Sequence, residues 1–191
     1  MRSIIVIGYA RSGTSLTAGV LHELGVDMGD KRVWRKTDEA NEKGYFENSQ
    51  FVRANQAILE TGKVPDLQKV VDKNKGEIWG AKDPRFLQTW EHWEPYIENP
   101  HFIFCMRRIG SIAESVCSRD NGKYSPEKVY NDVIADVYNY YHLIAKIKGF
   151  PFLSVQYEDY FDNDKQIKKI AKFIGLPYKD IDLPDINLKH F

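Results

Sequence analysis

Residues 3–15 read SIIVIGYARSGTS. A β-branched apolar run without alternation fits a strand buried on both faces, and such strands belong to parallel sheets covered by helices on both sides. Gly8 and Gly13 follow with the G-x-x-x-x-G spacing, and Leu16, Val20, Leu21 and Leu24 then fall on one helical face until Gly25 stops it. In a strand–loop–helix unit of this kind, the first backbone N–H groups of the helix point outward and hold an anion. Thr14 and Ser15 add hydroxyl donors, and Arg11 is the loop's cation. The lysine that phosphate loops of nucleoside triphosphatases carry after the second glycine is replaced by Thr14. The loop therefore reads as a cradle for a phosphate with a less charged outer group. The alternative is an ordinary glycine turn.

The same alternation continues along the chain. Strands are expected at 77–82, 101–106 and 151–157. Helices are expected at 48–60, from Pro84 to about 97, from a Ser111/Glu114 capping box, over 126–148 and over 164–174. In the 126–148 helix, Val129, Val133, Val137, Tyr140, Ile144 and Ile147 form the expected core stripe. Residues 26–46 are polar and irregular, and 176–191 show no period. Alternating strands and helices imply an α/β fold: one P-loop-like three-layer domain over 1–191, with a parallel sheet between two helical layers. With 27 basic and 27 acidic residues, the chain has no bulk charge for nucleic acid or a membrane surface. No apolar run approaches the roughly 20 residues of a membrane span. Cys105 and Cys117 make neither a disulfide framework nor a zinc site, and the five histidines have no metal-ligand spacing. No metal is expected, and the expected location is cytoplasmic.

A second stretch, FCMRRIGSIAES (104–115), puts Arg107 and Arg108 at the carboxyl end of a strand, where open α/β sheets bind ligands. Ser111 is expected to cap the following helix, with Ser115 one turn in. An arginine and a hydroxyl converging there would hold another phosphate; the plain alternative is a solvated arginine pair. Two anion sites on one sheet fit a nucleotide phosphorylated at two separate places.

At this point a family resemblance enters. GYARSGTSL (8–16) resembles the 5′-phosphosulfate loop of the sulfotransferase family, and RRIGSIAES (107–115) is similar to that family's 3′-phosphate motif, with Arg107 and Ser115 eight apart. KDPRFL (82–87), YED (157–159) and NEKGYFEN (41–48) resemble weaker segments of its bacterial and carbohydrate-acting members. Ala10 departs from the usual proline, and the family's glycine-bearing basic segment over the 3′-phosphate is missing, with Lys189 as a possible substitute.

The resemblance implies 3′-phosphoadenosine 5′-phosphosulfate as donor and a small-molecule or carbohydrate hydroxyl or amine as acceptor. It implies that Arg11, Ser12, Gly13, Thr14 and Ser15 hold the 5′ end, Arg107 and Ser115 the 3′-phosphate, and that Tyr157 lies near the adenine. Cations and N–H groups must stabilise charge on the leaving phosphate, and a base must take the acceptor's proton. Arg11 and Lys82 are the expected catalytic cations. The histidine that animal cytosolic members place two residues after the lysine is Pro84 here. Glu42 is the base that the resemblance to carbohydrate-acting members nominates, with Glu47 and Asp83 as rivals. Trp34, Tyr45 and Phe46 are candidate acceptor contacts, and Trp79, Trp90 and Trp93 are expected in the core. A P-loop kinase or hydrolase and a non-catalytic nucleotide-binding module are the competing functions.

Overall fold

A computed structural model describes residues 1–35, 45–120, 123–147, 149–162 and 164–181. Four parallel strands form one sheet: β1 (Arg2–Gly8), β2 (Ile78–Lys82), β3 (Pro100–Met106) and β4 (Phe152–Gln156), in the order β2-β1-β3-β4. Among the described residues seven α-helices surround it: α1 (Thr14–Leu24), α2 (Ser49–Thr61), α3 (Leu67–Asn74), α4 (Phe86–Trp93), α5 (Ile109–Arg119), α6 (Pro126–Lys146) and α7 (Lys165–Ile174).

The pleat of the central strands sorts the core into two layers. Ile4, Val6, Ile103 and Cys105 face α1 and α7. Ile5, Ile7, Phe102 and Phe104 face α2, α3, α4 and α6. This is the expected α/β arrangement, with helices on both faces. The second layer holds the bulk: Trp79, Trp90, Trp93, Phe51 and Phe86 are all nearly or wholly buried. The three core tryptophans are thus where composition places them, since each large aromatic removes about 150–250 Å² of surface from water.

Several element ends differ from the expected ones. α5 starts at Ile109, so Ser111 lies inside the helix and forms no cap. Its entry is tied instead from across the sheet, where the Arg108 N–H donates to Glu158 Oε1 at 3.1 Å. α4 starts at Phe86, two residues beyond Pro84, because Asp83 accepts from the Arg85 N–H at 2.9 Å and holds an open turn. α6 ends at Lys146. On it, Val137 is exposed, and Leu143 takes its place in the core. The last strand stops at Gln156, and Tyr157–Tyr160 form a short 3-10 turn.

β1 connects to β2 on one side, and its other neighbour β3 connects to β4 on the opposite side. Where connections diverge in this way, the carboxyl ends of two adjacent strands leave a crevice that binds ligands in open α/β sheets. The loop at 9–13 and the arginines at 107–108 lie at that divergence.

Candidate functional site

The loop after β1 is a strained turn on a tightly packed floor. Arg11 has φ +72° and Gly13 φ +94°, both left-handed. A Cβ on Gly8 would lie 2.6 Å from the Cys105 carbonyl oxygen and from Ser12 Oγ, and a Cβ on Gly13 would lie 2.6 Å from the Tyr157 ring. Both glycines are therefore required by close approach, Gly13 also by its backbone angle. Below the loop, Thr17 Oγ1 pairs with Tyr160 OH at 2.8 Å and accepts from Cys105 Sγ at 3.1 Å. Burial pushes the Cys105 thiol up to about 12 and holds the Tyr160 hydroxyl well above its ordinary range. The floor is uncharged at neutral pH.

α1 opens at Gly13 with no side-chain cap. The first-turn N–H groups of such a helix have no partner within it, and their dipole favours an anion. Ser12 Oγ, on a residue 1% exposed, has no hydrogen-bond partner. A buried hydroxyl left unsatisfied is costly, so the loop is a cradle whose polar groups are completed by something placed in it.

The two expected anion sites form one continuous structure, joined by Arg11. Its carbonyl accepts from Arg107 Nη1 at 3.1 Å, and its Nε donates to Ser115 Oγ at 2.8 Å. Ser115 is buried, and an oxygen that accepts from Arg11 keeps its own O–H to donate. The Arg107 guanidinium stacks 4.4 Å from the Tyr157 ring centroid. Tyr157 thus braces Arg107 on one side and Gly13 on the other. Burial, then the neighbouring cations Arg119 and Arg107, hold the Arg11 guanidinium below its ordinary value. Burial pushes Tyr157 up, outweighing the two arginines beside it.

Lys82 ends β2 on the other side of β1. It is 3% exposed, not a snorkelling surface lysine. Its Nζ donates to Glu47 Oε1 at 2.6 Å and to Ser15 Oγ at 3.2 Å, which joins it to the start of α1 beside the loop after β1. Glu47 is 4% exposed; its Oε2 lies 3.5 Å from Arg35 Nη1 but has no hydrogen bond. Arg35 in turn stacks on Tyr45 at 4.3 Å and donates its N–H to the Glu47 carbonyl.

Of the three candidate bases, Glu42 lies outside the described residues. Asp83 is fully buried and occupied by Arg85 and by Asn55 Nδ2 at 2.9 Å, which makes it a structural cap. Glu47 is the one the fold brings to Lys82. Trp34 and Phe46 pack on each other at 4.7 Å and against the α1 side of the core. Arg119, at the end of α5, joins the electrostatics of Arg11 and Tyr45, and sequence reading missed it because its place depends on where α5 ends. Glu158, just after β4, accepts from the Arg108 N–H and from Gln156 Nε2. Among the described residues no three His, Cys, Asp or Glu side chains gather as a metal site, and no helix is long and apolar enough to cross a membrane.

Comparison with known proteins agrees with this architecture. The model of the sulfotransferase family matches residues 3–180. The fold is similar to the sulfotransferase domain from the curacin biosynthetic pathway, with 18% identity, a TM-score of 0.57, and coverage of 94% of this chain and 76% of that one. It is also similar to the sulfotransferase domain of the Synechococcus PCC 7002 olefin synthase, with 19% identity, TM-score 0.55, and coverage of 97% and 80%. A sulfotransferase from Mycobacterium tuberculosis H37Rv aligns with 14% identity, TM-score 0.54, and coverage of 94% and 68%. No curated protein matches the sequence. The strand–loop–helix opening, the parallel sheet and a family match over nearly the whole chain together identify this protein as a member of the sulfotransferase family.

Proposed function

We propose that the enzyme takes 3′-phosphoadenosine 5′-phosphosulfate as donor and sulfates a hydroxyl or amine of a small-molecule or carbohydrate acceptor. The observation that carries this reading is the bridge made by Arg11, which fixes a loop with an unsatisfied buried Ser12 hydroxyl to the Arg107–Ser115 pair. One rigid unit then offers two anion-binding ends, which suits a nucleotide phosphorylated at both 5′ and 3′ positions. The donor supplies the sulfuryl group, which leaves from the 5′-phosphate.

The chain's own groups divide the work. Arg11, Ser12, Gly13, Thr14 and Ser15 hold the 5′ end through N–H groups, hydroxyls and one cation. Arg107 and the Ser115 O–H hold the 3′-phosphate. Tyr157 keeps Arg107 and the loop in register beneath the nucleotide. Lys82 has three N–H groups, two of them directed at Glu47 and Ser15, and the third serves the leaving oxygen. Glu47 is the base: Oε1 holds Lys82, and the hydrogen-bond-free Oε2 takes the acceptor's proton.

Calorimetric titration tests the donor. Adenosine 3′,5′-bisphosphate is expected to bind without metal, and ATP–magnesium weakly; tight binding of ATP–magnesium alone refutes the proposal. Arg107→Ala removes a charged contact of about 1.5–3 kcal/mol. It is expected to weaken the bisphosphate about tenfold to a hundredfold and adenosine 5′-phosphate far less.

A further inference from the structure

Single exposed apolar residues are ordinary, but a contiguous patch of them marks an interaction site. Among the described residues, 14 large apolar side chains are exposed, and seven of them lie together on α6 and the adjoining strand ends. Tyr130, Ile134, Val137, Tyr138 and Tyr141 are 41%, 55%, 37%, 74% and 62% exposed. They share one flank of α6, beside the face that Val129, Val133, Leu143 and Ile147 bury against the molecule. Ring contacts run from Tyr141 to Tyr140 at 5.6 Å, to Phe104 at 4.6 Å, and on to Phe152 at 6.1 Å on the edge strand β4. The Tyr140 hydroxyl also touches Met106. Phe152 and Met106 are themselves exposed, so the apolar flank continues onto the open edge of the sheet.

We infer that this flank of α6 is a self-association surface, on which a second copy of the chain packs about a twofold axis with its own α6 antiparallel. Three features choose that occupant. First, Tyr130, Ile134, Val137 and Tyr141 are spaced four, three and four apart, a pattern that reads the same in both directions. An antiparallel copy sets Tyr130 on the partner's Tyr141 and Ile134 on the partner's Val137, the self-complementarity an isologous interface requires. Second, the dipoles of two antiparallel helices lie opposed and attract each other, whereas those of a parallel pair repel. With net charge +0, two copies do not repel. Third, the exposed part of the stripe is on the order of 500 Å² per copy, given about 150–250 Å² for each aromatic. Two copies reach about 1,000 Å², the lower bound of a specific interface. A nucleic-acid or anionic-membrane partner would need an excess of basic charge, and the chain carries 27 basic and 27 acidic residues.

Sedimentation across a concentration series tests this in the intact chain, independently of donor or acceptor. A two-copy species is expected to grow with concentration. The Ile134→Asp/Tyr138→Asp variant is expected to sediment as one copy with an unchanged melting temperature, since both side chains point to solvent. In a Cys117→Ser background, mixing Ile134→Cys with Val137→Cys is expected to cross-link readily, as is Tyr130→Cys with Tyr141→Cys, whereas Ile134→Cys with Tyr141→Cys is not. A chain that stays single at every concentration overturns the inference. So does self-association untouched by the double aspartate variant, or cross-linking without preference for these pairs. A single-copy chain that instead floats with neutral lipid vesicles assigns the flank to a membrane surface and overturns it equally.

Discussion

The two sides of β1 hold their functional groups by different means. On the β3 side, the loop at 9–13, Arg107, Ser115 and Tyr157 are fixed by backbone geometry, close glycine contacts and one bridging arginine. On the β2 side, Lys82 and Glu47 are held chiefly by each other, in a buried ion pair fed by a residue from an irregular segment. Rigidity on the first side is distributed over many contacts. On the second it rests on two charges, each costly to bury alone. In the proposed reading, one substrate binds on the preformed side and the chemistry rests on a group sensitive to any change in charge.

Four measurements press on that contrast. The largest effect is expected from Glu47→Gln, which keeps the shape and removes the proposed base. Turnover should fall by about 10²–10⁴-fold, with bisphosphate affinity nearly unchanged; a normal rate would remove Glu47 from the mechanism. Lys82→Ala comes next, since it strands a buried carboxylate. Urea unfolding should show a loss of about 3–5 kcal/mol, and Lys82→Met combined with Glu47→Leu should recover much of it. Arg107→Ala should cost less stability than Lys82→Ala, and equal losses would erase the distinction between the two sides. Gly13→Ala is expected to cost about 1–3 kcal/mol from its left-handed backbone, and to weaken the bisphosphate because the new Cβ meets the Tyr157 ring.

The smallest effect at neutral pH, and one specific to the β3 side, concerns the neutral floor. The folded Cys105 thiol titrates at about 12 against an ordinary value of 9.0, because burial penalises the thiolate. The folded state therefore prefers the protonated form. Its contribution is complete below about pH 9 and is lost as pH climbs toward 12. Tyr160 acts in the same direction. Melting temperature should fall over that alkaline range, and more shallowly in Cys105→Ala; parallel slopes would show that the thiol is not involved.

The β3 side was also the legible one. Gly8, Gly13, Arg107 and Ser115 announce themselves because a glycine turn from strand to helix and a strand end impose short fixed spacings on neighbouring residues. The β2 side was not. Glu47 and Lys82 are 35 residues apart in the chain, and 45–47 belongs to no periodic element. Glu42 and Glu47 are equivalent as letters, and Asp83 became a cap only when Asn55 and Arg85 closed on it. The Ser111/Glu114 capping box misled for a related reason. A local hydrogen-bond pattern lost to a long-range one, the donation from Arg108 to Glu158 that starts α5 earlier. Val137 fits the core stripe by period, yet α6 covers the sheet along a narrower line than its period allows and leaves that flank exposed.

The sequence alone determined the alternation of buried strands and amphipathic helices, the α/β class and the glycine turn after β1, because each depends on residues adjacent in the chain. Tertiary structure decided which carboxylate meets Lys82, how Arg11 joins the loop after β1 to Arg107 and Ser115, and which side of α6 is left uncovered. Those outcomes depend on contacts between distant segments, and the low dielectric of the interior makes a few ångströms decide whether a charge is paired, capped or left to act.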